Sequence, residues 1–301
     1  MKPPPTARQQ LDAYAFIVLL TLTALWGLNY TAIKISNTAV APIFSSAIRS
    51  SVAATCGFFY CLKLQKSPFH RDIRLLHGIA VGLLFGLEFA CLYLGTLWTD
   101  ASRAVIFVYL SPFFVAMGAH FLLRGERLTV IKTLGLFLAF MGVLTLFGHR
   151  PASAGPRMWL GDLLEIAAAF FWATTTLYIK RFMADKVHPI QTFFYQLSFS
   201  IPVLFALSFL LESSKIWGIS PLVVGSLAYQ SLIVAFWSYY LWFKLIHLYP
   251  VSDLSSFTFF TPVFGVLFGG LLLGEETGVR TFISLAMVSG GIFLVNRPGM
   301  R

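Results

Sequence analysis

Charge is what this chain has least of. Asp, Glu, Lys and Arg together make up 11% of its 301 residues, where an ordinary soluble domain carries about 25%, so a conventional water-facing surface is excluded. Cysteine is scarce too: Cys56, Cys61 and Cys91 lie in apolar runs without the paired spacing of a metal site. The six histidines are scattered and form no HExxH motif, and no phosphate-binding GxxxxGKS or GxxxxGKT loop is present. Metal catalysis and built-in ATP hydrolysis are therefore unsupported. A lipid-modifying enzyme would need His, Asp or Ser gathered at one interface, and none are. Nothing here calls for an enzyme or a cofactor.

Apolar residues fill the space that charge leaves: they are 57% of the chain, and the mean hydropathy is +0.78. A helix crosses a bilayer with about 20 apolar residues, and the long apolar runs lack the alternation of a membrane β-barrel. The pattern predicts an all-α membrane protein of ten transmembrane helices, near 13–34, 41–62, 74–97, 101–123, 129–148, 160–181, 190–211, 220–246, 251–273 and 279–296. Charges and breakers separate them: Lys63, Lys66, Pro68 and Arg71 after the second, Gly125-Glu126-Arg127 after the fourth, Pro151 to Pro156 after the fifth. The first run lacks a small-residue cleavage site and is expected to stay as a helix.

Orientation follows from the basic residues. With the N-terminus in the cytoplasm, fifteen Lys and Arg fall on that side, Lys2, Arg8 and Arg301 among them. Six fall on the other: Lys34, Arg103, Arg150, Arg157, Lys215 and Arg280. The excess predicts that both termini are cytoplasmic. The net charge of +10 then needs no nucleic acid; anionic lipid headgroups are its partner.

The chain also repeats itself. Ser102 to Glu126, holding Ser111-Pro112, recurs 150 residues later as Ser252 to Glu276, holding Thr261-Pro262. Trp26, Ile33 and Lys34 recur as Trp172, Ile179 and Lys180, 146 residues later. Both offsets are close to half the chain, which predicts one unit written twice, 1–150 and 151–301. Five spans per unit is an odd number, so the second unit enters the membrane from the opposite side. Inverted repeats of this kind place a small-molecule site near the midplane and work by alternating access; a channel is the other class, and the proline-bearing halves suit it less.

The same residues carry a family resemblance. Trp26-Gly27-Leu28-Asn29-Tyr30 leading to Lys34, Ala47-Ile48-Arg49-Ser50, Ala101-Ser102, Leu110-Ser111-Pro112, Gly125-Glu126-Arg127-Leu128-Thr129 and Gly161-Asp162-Leu163-Leu164 with Trp172 and Lys180 follow one another along essentially the whole chain. In that order they resemble the EamA type of the drug/metabolite transporter superfamily. The resemblance implies ten helices in two five-helix repeats and export of small metabolites, amino acids or drugs across a bacterial inner membrane. Sugar-phosphate or nucleotide-sugar exchange, found among wider relatives, is the alternative. The chain departs from symmetry opposite Arg49, where Tyr195-Gln196 stand.

Ionisable groups inside spans are costly unless they face a cavity or a partner. Glu88 has Ser238 as its counterpart at the 150 offset, so the fold does not demand a carboxylate in both halves. It reads as a cavity group for a substrate amine or a coupling proton, or as a buried partner for Arg49. The Arg49 fork suits a carboxylate or phosphate, while its presence across the resembling family favours a structural or gating role. Lys34 and Lys180 are expected to snorkel, and Asp253 and Arg103 to serve helix starts. Tyr14, Trp159, Trp217 and Tyr249 read as interfacial belt residues. Polar-tipped aromatics at mid-span, with Asn29 and Gln230, complete a cavity set of Asn29, Arg49, Glu88, Tyr93, Tyr109, Gln230, Trp237 and Tyr239. Pro112 and Pro262 are expected to kink their helices, and Gly82-x3-Gly86 and Gly265-x3-Gly269 to allow close approach.

Overall fold

The computed structural model describes residues 10–96, 98–99, 101–148, 156–274 and 278–297. Lys2, Arg8, Arg150, Arg301, Pro151 and Glu276 of the sequence argument lie outside them, as does the side chain of Ser102. Among the described residues the chain is helical, with one isolated antiparallel bridge, Val40 to Ile216. The helices join into ten rods: α1 (Ala13–Ser36), α2 (Pro42–Lys63), α3 (Ile73–Thr96), α4 (Arg103–Leu122), α5 (Val130–Phe147), α6 (Met158–Met183), α7 (Pro189–Leu211), α8 (Pro221–Leu248), α9 (Val251–Leu273) and α10 (Val279–Val295).

Eight of these are long and apolar enough to cross a membrane, which makes this a multi-pass membrane protein; α10 is a shorter apolar helix. α2 stands outside that set for a visible reason. Ser45, Ser46, Arg49 and Ser50 form a buried polar stripe along it, which lowers its hydropathy while keeping those groups from lipid.

Local chemistry sets the helix ends. Asp12 accepts the Ala15 N–H at 2.9 Å to start α1. Pro189 and Pro221 occupy first-turn positions of α7 and α8, where a missing N–H is harmless. Gly274, at φ 69°, takes the left-handed turn that closes α9. Pro112 and Pro262 each follow an irregular turn: α4 breaks at Tyr109-Leu110, and α9 tightens to a 3-10 turn at Phe257–Phe259. α6 and α8 widen into π-helical turns at Ile179–Met183 and Tyr229–Ser238.

The packing has a regularity of its own. α3 packs on α6 and α7, while α1 and α2 pack on α8; α1 packs on α9, and α6 on α4. Each pair maps onto its mate when every helix is exchanged for the one five places away. The pairs α5 with α10, α2 with α7 and α4 with α9 map onto themselves. Glycines permit the closest approaches. An alanine methyl at Gly82 would meet Phe199 Cβ at 2.3 Å, and one at Gly291 would meet the Gly135 carbonyl oxygen at 2.5 Å.

At the ends of the rods, three expectations are corrected and one is extended. Asp253 stands in the first turn of α9 as expected, but it is fully buried there and pairs with Lys132 Nζ at 2.7 Å. Glu126 does the capping, accepting the Val251 and Ser252 N–H groups at 3.0 and 2.9 Å. Lys180 does not snorkel but donates to the Ile246 and Tyr249 carbonyls at 2.9 and 2.8 Å, satisfying the end of α8. Tyr249 is no belt residue: it is fully buried and donates to Asp12 at 2.9 Å. Arg103, instead of serving its own helix start, reaches Asp162 on α6 at 2.5 Å.

Candidate functional site

A cavity of about 280 Å³ lies among α1, α2, α3, α4, α6, α7, α8 and α9. Six of the eight predicted cavity residues line it: Asn29, Arg49, Glu88, Tyr93, Tyr109 and Tyr239. The other two do not. Ser238 faces inward and accepts from Trp26 Nε1 at 2.8 Å, so its neighbour Trp237 points away and is 48% exposed. Gln230 is buried one packing layer off, donating to Ser36 Oγ at 3.0 Å and to the Ala32 carbonyl at 3.3 Å.

Seven further aromatic residues, Trp172, Trp242 and Trp26 among them, share the remaining wall with aliphatic and hydroxyl side chains. Trp172 stacks on Trp242 at 6.0 Å, and Trp26 meets Trp242 edge-on at 5.3 Å. Tyr30 and Tyr109 join hydroxyls at 3.3 Å. Tyr93 bonds to Ser46, which ties α3 to α2. Such a lining suits an apolar or planar group.

Against that wall stand polar atoms without partners. Arg49 is 4% exposed, with Nε and Nη2 unpaired, and its guanidinium lies 5.4 Å from the Phe89 ring centre. Glu88 is 8% exposed with Oε2 unpaired. No ion pair joins the two among the described residues, although the Arg49 charge acts on the Glu88 carboxyl through space. Asn29 Oδ1, Gln196 Oε1 and Thr261 Oγ1 are likewise unpaired. Native proteins rarely leave buried polar groups unmade, and leaving a charged one unmade is expensive. The cavity therefore offers one cation, one carboxyl and three neutral groups to whatever enters it.

Comparing the halves clarifies the asymmetry. Opposite Glu88, Ser238 is spent on Trp26 and on the Val234 carbonyl. Opposite Arg49, Gln196 keeps a place in the cavity wall, while Tyr195 turns away to bond His70 at 2.8 Å. The predicted set missed Trp26, Tyr30, Trp172, Gln196 and Trp242. The repeat pairing of Trp26 with Trp172 was the signal that could have found two of them. Glu165, also missed, is fully buried on α6 with both carboxyl oxygens unpaired.

The family model described as "EamA-like transporter family" matches residues 13–148 and again 159–297. The chain is 25% identical over 279 residues to the "Uncharacterized transporter YoaV" of Bacillus subtilis, covering 92% of this chain and 94% of that protein. It is 26% identical over 293 residues to the "Probable amino-acid metabolite efflux pump" of Escherichia coli, covering 95% of each. A crystal structure with 22% sequence identity superposes with a TM-score of 0.80, over 94% of this chain and 96% of that one.

Proposed function

We propose, for a chain that belongs to the EamA-like transporter family, that it is a secondary carrier exporting small zwitterionic metabolites, foremost amino acids with a large apolar or aromatic side chain. The observation that carries this reading is the presence, in one aromatic-rich cavity, of Arg49 with Nε and Nη2 unpaired and Glu88 with Oε2 unpaired. A guanidinium fork receives a substrate carboxylate, the Glu88 carboxyl receives its ammonium, and the Trp172 and Trp242 faces take the side chain. The efflux relative named above agrees with this cargo. Phosphorylated sugars would call for several cations, and Arg49 is the only Lys or Arg among the lining residues.

In this reading the ten rods are ten spans in two inverted halves, 1–150 and 151–301, with both termini in the cytoplasm of a bacterial inner membrane. It is supported by the exchange symmetry of helix packing, by the double match of the family model and by the excess of basic residues on one side. Alternating access then rocks one set of helices against the other around the fixed cavity, with the irregular turns before Pro112 and Pro262 as hinge points. Counterflow of a labelled amino acid in proteoliposomes tests it: saturable, trans-stimulated uptake is expected, and linear uptake indifferent to trans substrate would indicate a channel.

A further inference from the structure

Glu165 is the least expected side chain in the molecule. It is fully buried on α6, and among the described residues neither carboxyl oxygen has a hydrogen-bond partner. Its niche is shaped by an absence: Gly95 of α3 faces it with hydrogen alone, and an alanine methyl there would lie 2.6 Å from Oε1. One turn earlier on the same helix, Asp162 is bonded to Arg103 and Thr99 and is 13% exposed, with Arg103 34% exposed, so water reaches that turn. One turn later, Ala168 already lines the cavity. Glu165 thus stands between a watered end of α6 and the substrate chamber.

Among the described residues, few titratable groups are coupled to it electrostatically: Asp162 on its own helix, Cys91 on α3 and Tyr30 on α1. Cys91 also feels the charge of Glu88, and Arg103 of α4 is engaged with Asp162. Among the described residues no cation is paired with Glu165. An ionised carboxylate cannot be kept there without a partner, so the group sits in this arrangement as the neutral acid. A merely structural position would be filled better by leucine, since even the neutral acid leaves its donor and acceptors unmade.

We infer that Glu165 is a proton-binding site of the transport cycle, holding one proton in this arrangement and releasing it to water when α6 moves against α3. The inference rests on the carrier reading above and adds to it the coupling ion and its seat, distinct from the substrate groups Arg49 and Glu88. It also implies that net transport is an exchange of substrate against one proton.

Two measurements test it, and the first needs no substrate. Infrared difference spectra of the reconstituted protein against Glu165→Gln should show a carboxylic-acid carbonyl band at neutral pH that shifts on transfer to heavy water. A missing band, or one that never shifts, overturns the inference whatever the cargo. In the second, with the membrane potential clamped at zero because this exchange moves one charge, a gradient of one pH unit should let wild-type vesicles hold up to about a tenfold phenylalanine ratio for one proton exchanged. Glu165→Gln should hold about onefold, and Glu165→Asp should restore part of the response. A Glu165→Gln protein that accumulates like wild type, with an unchanged melting profile, overturns the inference. Wild-type vesicles that move no amino acid at all would refute the cargo, and the infrared band alone would then decide the proton site.

Discussion

Asp253→Asn strands a buried cation, and the consequence can be sized. Lys132 Nζ and Asp253 Oδ1 meet at 2.7 Å with their side chains 7% and 0% exposed, so water cannot replace the lost charge. Removing one partner of such a pair costs about 3–5 kcal/mol. Removing both with matched apolar residues is often neutral or stabilising, so Lys132→Met with Asp253→Leu should recover most of the loss. The assay is equilibrium unfolding of the purified protein in mixed micelles titrated with dodecyl sulfate, followed by tryptophan fluorescence. The exposed pair Asp72 and Arg74, 46% and 37% exposed, supplies a control, and Asp72→Asn should leave the midpoint unmoved. The reasoning is refuted if Asp253→Asn unfolds with wild-type stability, or if the double variant falls as far as the single one.

Other expectations are more local. Gly291→Ala forces a methyl to 2.5 Å from the Gly135 carbonyl and should destabilise the α5 and α10 contact by about 1–3 kcal/mol in the same titration. Gly290→Ala, whose methyl would find Leu138 at 3.5 Å, should not. Pro112→Ala and Pro262→Ala should slow counterflow if the irregular turns serve the motion; unchanged rates would end the hinge reading. His188, outside the spans, has its pKa lowered by burial and by Lys66 and Lys244, and its Nδ1 accepts the Ile190 N–H at 3.3 Å. A folded pKa below the unfolded one makes its contribution complete above about 6.5 and lost as the pH falls through the folded value. Protection factors in the first turn of α7, corrected for the intrinsic pH dependence of amide exchange, should therefore fall as the pH drops below about 6.5, whereas those of His188→Asn should not change with pH.

Helix positions were legible in the sequence because apolar length and Pro-Gly punctuation are one-dimensional signals. The rods end within a few residues of the predicted spans. α2 was predicted from the same pattern, yet its polar stripe becomes intelligible only when neighbours bury it. The site was legible where a residue broke the apolar rule, as Glu88 and Arg49 do. Trp237 misled because a tryptophan at mid-span looks the same facing lipid or cavity, and the π-helical turn in α8 shifts the angular count. Glu165 escaped notice because it stands near Asp162 at a span end, where a carboxylate is ordinary; its complete burial, with Gly95 packed closely against it, is a property of the packed helices. Lys132 and Asp253 lie 121 residues apart, and no local rule joins them.

The most direct measurement of the central claim is counterflow of labelled phenylalanine in proteoliposomes, comparing wild type with Arg49→Gln and Glu88→Gln. The account predicts saturable, trans-stimulated exchange in wild type, weakened at least tenfold in each variant, since a lost charge-assisted bond is worth about 1.5–3 kcal/mol. Exchange in both variants at the wild-type rate and half-saturation would contradict it, because the cavity charges would then be spectators.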